Sequence, residues 1–283
     1  MRRHELTDVA WQRIEPLLPA QPVRGGQWLD HRTVLNGMLW KLATGAPWRD
    51  LPERYGNWKT VYERYRRWAA DGTFDRILAH LQVHDDAVGR LNWTVSIDST
   101  IVRAHQHATG ARKKGTMRTN RSCQALGRSR GGLTTKVHLA VDGRGLPLSF
   151  VITPGNVNDC TRLVQVLESI RIARPGPGRG RPRTRPAHLI ADKGYSTGKI
   201  RTYLRKRRIT HTIPERSDQL AARTRRGHRR CGFDPSLYRL RNVVERCFNR
   251  LKQWRGTATR YDKLARHYRA AITLVSALLW ITT

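Results

Sequence analysis

Acidic residues are scarce in this 283-residue chain: 21 Asp and Glu stand against 54 Lys and Arg, for a formal net charge of +33. A chain so one-sided repels itself unless it meets a polyanion. An enzyme of small molecules has no use for that imbalance, and nucleic acid is the first partner it suggests. An anionic membrane would be the second. No run of about 18 apolar residues occurs, so no spanning helix is expected. The apolar stretch Ala270–Ile281 is too short, and Met1–Asp8 lacks the apolar core of a signal peptide.

Cysteine is sparse too. Cys123, Cys160, Cys231 and Cys247 include no C-x-x-C pair, and no histidine pair completes a zinc pattern. Free thiols in a reducing cytoplasm are expected, without structural zinc.

What is present divides the chain in two, and the length allows two domains. Residues 1–85 read as helices. Thr7 and Asp8 can cap one carrying Val9, Trp11, Ile14 and Leu17. A second spans about 32–43, with Val34, Leu35, Met38, Leu39 and Leu42 inward, and ends at Gly45 and Pro47. A third covers about 58–69, and a fourth 74–81. The third interleaves Arg64, Arg66 and Arg67 with Tyr62, Tyr65 and Trp68. That order suits the second helix of a helix-turn-helix DNA reader. It suits equally a helical bundle with a solvated basic face. The boundary is placed at residue 88, between a helical DNA-binding domain and an α/β domain covering 89–283.

The pattern then changes. Trp93–Asp98 alternates and reads as a strand ending on Asp98. Thr134–Val141 and Leu146–Ile152 read as a hairpin around Asp142–Gly145, and Asn158 can cap a helix reaching about Ile172. His188–Asp192 is a short, nearly continuous apolar strand, which suggests burial on both faces; it too ends on an aspartate. Lys193–Tyr195 turns into a helix to about Arg207, and Ile209–Ile213 is a further strand. Residues 106–132, 173–187 and 216–235 read as basic loops. A last helix, about 264–280, puts Leu264, Tyr268, Ile272, Val275 and Leu279 on one packing face.

Between the last loop and the last helix, Tyr238–Lys252 has no Gly or Pro and reads as one helix. At roughly 100° per residue, Tyr238, Arg241, Glu245 and Lys252 share a face about 60° wide. Leu237, Leu240, Val244, Phe248 and Leu251 form the neighbouring apolar stripe. Glu245 with Arg241 is an i,i+4 pair, and such pairs often do no more than support a helix. Asp98 or Asp192 alone could equally be a turn or cap residue. Taken together, two aspartates at strand ends and a glutamate on a cationic helix face make a candidate site. Ligands of open α/β sheets bind at the carboxyl ends of strands. Neighbouring carboxylates are unfavourable without a cation between them. An all-oxygen donor set favours Mg²⁺ or Mn²⁺, and two such ions can drive in-line attack on a phosphodiester.

At these residues the chain resembles a known family. Asp98 in Ser96–Thr100, Asp192 in Ala191–Tyr195, and the Tyr238-x2-Arg241-x3-Glu245-x6-Lys252 spacing are similar to the DDE transposases of bacterial insertion sequences, closest to insertion sequence family five. Trp48–Pro52, Gly127–Lys136 and Leu251–Arg255 extend the resemblance over nearly the whole chain. It implies an RNase H-like mixed sheet flanked by helices, behind an all-helical N-terminal domain. It implies Asp98, Asp192 and Glu245 as catalytic residues that bind two Mg²⁺, with Mn²⁺ able to substitute. Tyr238, Arg241 and Lys252, with Lys193 beside Asp192, are then expected to contact DNA, while Arg64, Arg66 and Arg67 read sequence. The implied activity is recognition of terminal inverted repeats in double-stranded DNA, cleavage to free 3′-OH ends, and joining to target DNA, by a homodimer at the nucleoid. A DNA-binding protein that has lost catalysis, or a nuclease without strand joining, would show the same charge.

Overall fold

A computed structural model describes residues 3–21, 26–109, 124–176, 180–227 and 233–282. Cys123, Cys231 and most of the basic stretch 106–132 lie outside the described residues; Cys160 and Cys247 are free thiols.

The N-terminal helices form where the pattern asks for them. Thr7 caps α1 (Asp8–Ile14), its hydroxyl accepting from the Ala10 N–H at 3.1 Å. Asp30 caps α2 (His31–Thr44), which stops at Gly45. α3 (Trp58–Ala70) and α4 (Thr73–Ala87) follow, the latter running well past its expected end at Leu81. Then come β1 (Thr94–Ala104), α5 (Gln106–Thr109), β2 (Gly127–Ser129), β3 (Gly132–Val141), β4 (Pro147–Pro154) and α6 (Leu163–Glu168). The chain continues with β5 (His188–Ala191), α7 (Gly198–Lys206), β6 (Thr210–Thr212), α8 (Ser217–Arg225), α9 (Pro235–Arg239) and α10 (Asn242–Lys252). It closes with α11 (Arg255–Ala258), β7 (Thr259–Arg260) and α12 (Ala265–Ile281).

Two compact units emerge, and neither is continuous in sequence. The first gathers residues 1–81, 102–135 and 250–283. Its core surrounds α12, in which every residue from Ala270 to Ile281 is buried. A helix apolar on all sides cannot lie on a surface, so the single packing face expected of it is replaced by full burial. α3 packs on α12, with the Tyr65 hydroxyl donating to the His267 carbonyl at 2.5 Å, and α2 packs on α11 and α3. Within this unit β2 runs antiparallel to the start of β3, and β7 parallel to the end of β1. α2 and α3 are joined through 3-10 turns at Trp48–Asp50 and Glu53–Tyr55. That is not the short turn of a helix-turn-helix.

The second unit comprises residues 82–101 and 136–249. Here β1 is parallel to β5 and β5 to β6; β3 lies on the other side of β1, and β4 on β3. The turn Asp142–Leu146 between β3 and β4 is too short for anything but a hairpin. Val95, Ile97, Leu139, Val141, Leu189 and Ile190 form the buried middle. α6 packs on β4, and α7 on α6 and β6. The fold is the RNase H-like mixed sheet flanked by helices, with helices preceding it. Among the described residues no helix is long and apolar enough to cross a membrane.

Several local expectations change. β1 does not end at Asp98; it continues to Ala104, because its far end pairs with β7. The stretch 216–235 is not all loop, since α8 occupies nine of its residues. The Tyr238–Lys252 helix is two helices, interrupted at Leu240 and Arg241. Leu240, expected in the apolar stripe, is therefore exposed, whereas Val243, Val244, Cys247, Phe248 and Leu251 are buried.

Candidate active site

The second unit brings Asp98 and Asp192 together by strand register. β1 pairs with β5 through Thr94↔His188 to Ile97↔Ala191. Asp98 and Asp192 are the next residues on each strand, where the pairing stops. Each carboxylate is anchored by a backbone N–H. Ser99 N–H donates to Asp98 Oδ1 at 2.8 Å. Asp192 caps the 3-10 turn Lys193–Tyr195, and its Oδ1 accepts from the Gly194 N–H. A Cβ at position 194 would stand 2.8 Å from that oxygen, so a side chain there would push the carboxylate aside.

Two carboxylates so placed disfavour each other's charge. Burial raises the Asp98 pKa above the ordinary carboxylate value, and the charge of Asp192 adds to it; the Ser99 N–H and Arg241 oppose the rise. Arg241 arrives from the break between α9 and α10. Its Nη1 lies 2.6 Å from Asp98 Oδ2, and its Nη2 donates to Glu245 Oε1 in the first turn of α10. Desolvation works against the guanidinium's charge, but Asp98 and Glu245 outweigh it and its pKa is raised. Glu245 is therefore joined to Asp98 through an arginine.

Around this group sit further basic and aromatic residues. The Arg241 guanidinium lies 5.9 Å from the Tyr238 ring, which pairs with the exposed Phe233. Lys193 and Asp192 border a cavity of about 360 Å³ with Gly194, Arg216, Ser217 and Asp218. Arg216 was not singled out by sequence, which assigned it to a loop. Its guanidinium donates to the carbonyls of Lys193 and Gly194 at 3.3 and 3.0 Å and so braces the Asp192 turn. The available signal was Gln219 three residues on, which accepts from the Arg216 N–H at 3.2 Å in a capping-box arrangement.

The remaining candidates belong to the first unit. Lys252 ends α10 and is partly buried, which lowers its pKa. Arg64 cannot read DNA from where it lies. It is buried, its Nη1 is 2.7 Å from His31 Nδ1, and its guanidinium stacks 4.4 Å over Trp28. A helix turn places it inward beside Tyr65 and Trp68, where aromatic faces replace water. Arg66 is paired with Glu63, and Arg67 is exposed.

Among the described residues no three or more His, Cys, Asp or Glu side chains are gathered into a metal-holding group. The donor chemistry nevertheless fits a hard divalent cation: Asp98, Asp192 and Glu245 offer only carboxylate oxygens. A cation at the Asp98–Asp192 pair would relieve the repulsion that Arg241 now relieves in part.

Comparison with known proteins identifies the family. Residues 90–280 match the family described as "Transposase DDE domain", and residues 6–78 the one described as "Putative transposase of IS4/5 family". An uncharacterised protein of Sinorhizobium fredii, y4sN, is 44% identical over 109 residues, 38% of this chain and 83% of that protein. A protein of Brucella ovis named "Putative transposase for insertion sequence element IS6501" is 29% identical over 150 residues, 53% of this chain and 99% of that one. A Burkholderia cepacia protein, "Putative transposase for insertion sequence element IS402", is 33% identical over 149 residues, 52% of this chain and 64% of that one. Among solved structures, a Mos1 transposase paired-end complex matches over 84% of this chain and 83% of that one at 13% identity, with a TM-score of 0.25. The chain belongs to the DDE-domain transposases, within the IS4/5 group of insertion-sequence proteins.

Proposed function

We propose that the protein cleaves DNA at the terminal inverted repeats of its insertion sequence and joins the freed 3′-OH ends to target DNA. The observation that carries this reading is the adjacency of Asp98 and Asp192 at the end of their strand pairing, with Arg241 tying Glu245 to the same pair. Those three carboxylates would hold divalent metal, Mg²⁺ first. When bound, the metal supplies activation of the attacking oxygen and neutralises charge on the leaving one.

The chain's own residues then act on the DNA. Arg241 and Lys193 offset the charge of the phosphate at the cleaved bond. Tyr238 lies against Arg241 and limits how the guanidinium can turn. The net charge of +33 draws in duplex, and Arg66, Arg67 and Lys252 contribute phosphate contacts from the first unit. The helices of residues 1–88 read the repeat, with Arg64 holding their core. Two ends must be joined in one reaction, so the working form is a homodimer on DNA.

A cleavage assay tests this. A labelled duplex bearing the element's terminal repeat is incubated with protein and Mg²⁺, beside a scrambled duplex and a Glu245→Gln variant. The expected result is a repeat-specific cut leaving a 3′-OH, lost in the variant while binding survives. Equal cutting of both duplexes would favour a nuclease without sequence direction. Binding without cutting, alike in both proteins, would favour a DNA-binding protein.

A further inference from the structure

Two stretches that carry the family pattern, Trp48–Pro52 and Leu251–Arg255, have no part in the carboxylate site. In the first unit they meet around one side chain. Lys41 lies in the last turn of α2 and is 3% exposed. Its Nζ stands 5.4 Å from the centre of the Trp48 ring and 5.9 Å from that of Tyr261. α2 packs on α11, and Gly45, which ends α2, lies against the Arg255 side chain and the Tyr261 ring. Trp48 leans in turn on Tyr62 and Tyr65, at 5.3 Å from each.

A lysine this buried is almost always paired with a carboxylate. Among the described residues Lys41 has no ion pair, and its ammonium makes no hydrogen bond. Nor is that nitrogen closed off from solvent. The stem is enclosed while the tip opens outward, with three N–H donors unspent. Aromatic faces and the carbonyl end of α2 both favour a cation at this place, so the charge is held without being neutralised. Arg64, the buried cation of α3, differs in having a partner, His31. An exposed lysine loses rotamer freedom when it grips a ligand. Lys41 has given up that freedom in folding, so an anion at its tip meets a charge already fixed in place. For a chain of net charge +33 the polyanion to expect is nucleic acid, and the anion its phosphate.

We infer that Lys41 is a preset phosphate site of the first unit, taking one backbone phosphate of bound DNA between the walls formed by Trp48 and Tyr261. Such a contact carries no sequence information; it fixes how the DNA lies on the unit. The inference rests on the reading of DNA as the partner, and its test separates the two.

The experiment measures duplex affinity of the full chain by fluorescence anisotropy between about 50 and 200 mM salt. Wild type, Lys41→Met and Lys41→Gln are compared on the terminal-repeat duplex and on a scrambled one, and thermal melting is recorded alongside. Both variants should lower the slope of log affinity against log salt by about 1, and bind about tenfold more weakly at roughly 0.1 M salt. The loss should be equal on the two duplexes. The melting temperature of Lys41→Met should hold or rise, because an apolar chain of similar length replaces an unneutralised cation. An unchanged slope in Lys41→Met overturns the inference. So does a loss confined to the repeat duplex, which would make Lys41 part of sequence reading. A large fall in melting temperature in both variants overturns it too, because the ammonium would then be serving the fold through its rings. If wild-type affinity does not respond to salt, the reading of DNA as partner fails, whatever Lys41→Met does.

Discussion

Arg241 Nη1 sits 2.6 Å from Asp98 Oδ2 while the same guanidinium holds Glu245. One cation thus neutralises two carboxylates that come from a strand and a helix, and a divalent ion and this arginine would compete for the same oxygens. On the proposed function a DNA phosphate would compete in turn for the arginine. DNA and metal binding should therefore be coupled, and coupling is reciprocal. Mn²⁺ affinity is expected to rise roughly 5–150-fold when end duplex is present. In Arg241→Gln the affinity without DNA should already be high and the coupling lost. Electron paramagnetic resonance with and without duplex checks this; equal coupling in both proteins would sink it.

His138 makes stability fall in mild acid. Burial holds its pKa down at about 4, against 6.5 for an unperturbed imidazole. Between those values the unfolded chain binds a proton that the folded chain refuses. Its contribution is fully retained above about pH 6.5 and is lost as the pH falls toward 4, by roughly 3 kcal/mol in all. Urea denaturation across pH 4–7.5 should show that slope, and His138→Gln should flatten it.

Arg64→Ala should act on the fold and not on DNA recognition. It removes a hydrogen bond to His31 and a stacked cation from Trp28, a loss of about 2–3 kcal/mol. Arg67→Ala, at an exposed position 5.2 Å over the same Trp28 ring, should cost only about 0.5–1 kcal/mol and lower the slope of log affinity against log salt by about 1. Thermal melts and salt titrations of both variants decide the matter, and exchanged outcomes would restore Arg64 as a DNA contact.

Gly145 links the β3–β4 turn to the helix of Glu245. Its φ is +84°, and a Cβ there would stand 3.2 Å from the Val243 carbonyl at the start of α10. Gly145→Ala should cost roughly 1–2 kcal/mol through the left-handed backbone alone. It should also displace the start of α10, so end cleavage should drop more than end binding. Melting together with a comparison of binding and cutting checks this.

Much of this molecule was legible along the chain. Strand alternation at Val95 and Ile97, the apolar run before Asp192 and the cap at Thr7 report local geometry, which the side chains at those positions dictate. The spacing of Arg241 and Glu245 marked the helix of the candidate site. Other features depended on partners remote in sequence. β1 runs past Asp98 because β7, more than 150 residues later, continues the pairing. Arg64 has the pattern of a DNA-facing residue, yet Trp28 and His31 enclose it. The helix breaks at Leu240 and Arg241, and the arginine at that break joins Asp98 to Glu245. Periodicity and charge act within a few residues, so the sequence by itself determined most of the elements, the strongly basic charge and the family pattern. Register, burial and the direction of a guanidinium are set by contacts that exist only once the chain has folded, so the tertiary structure alone decided which charges meet.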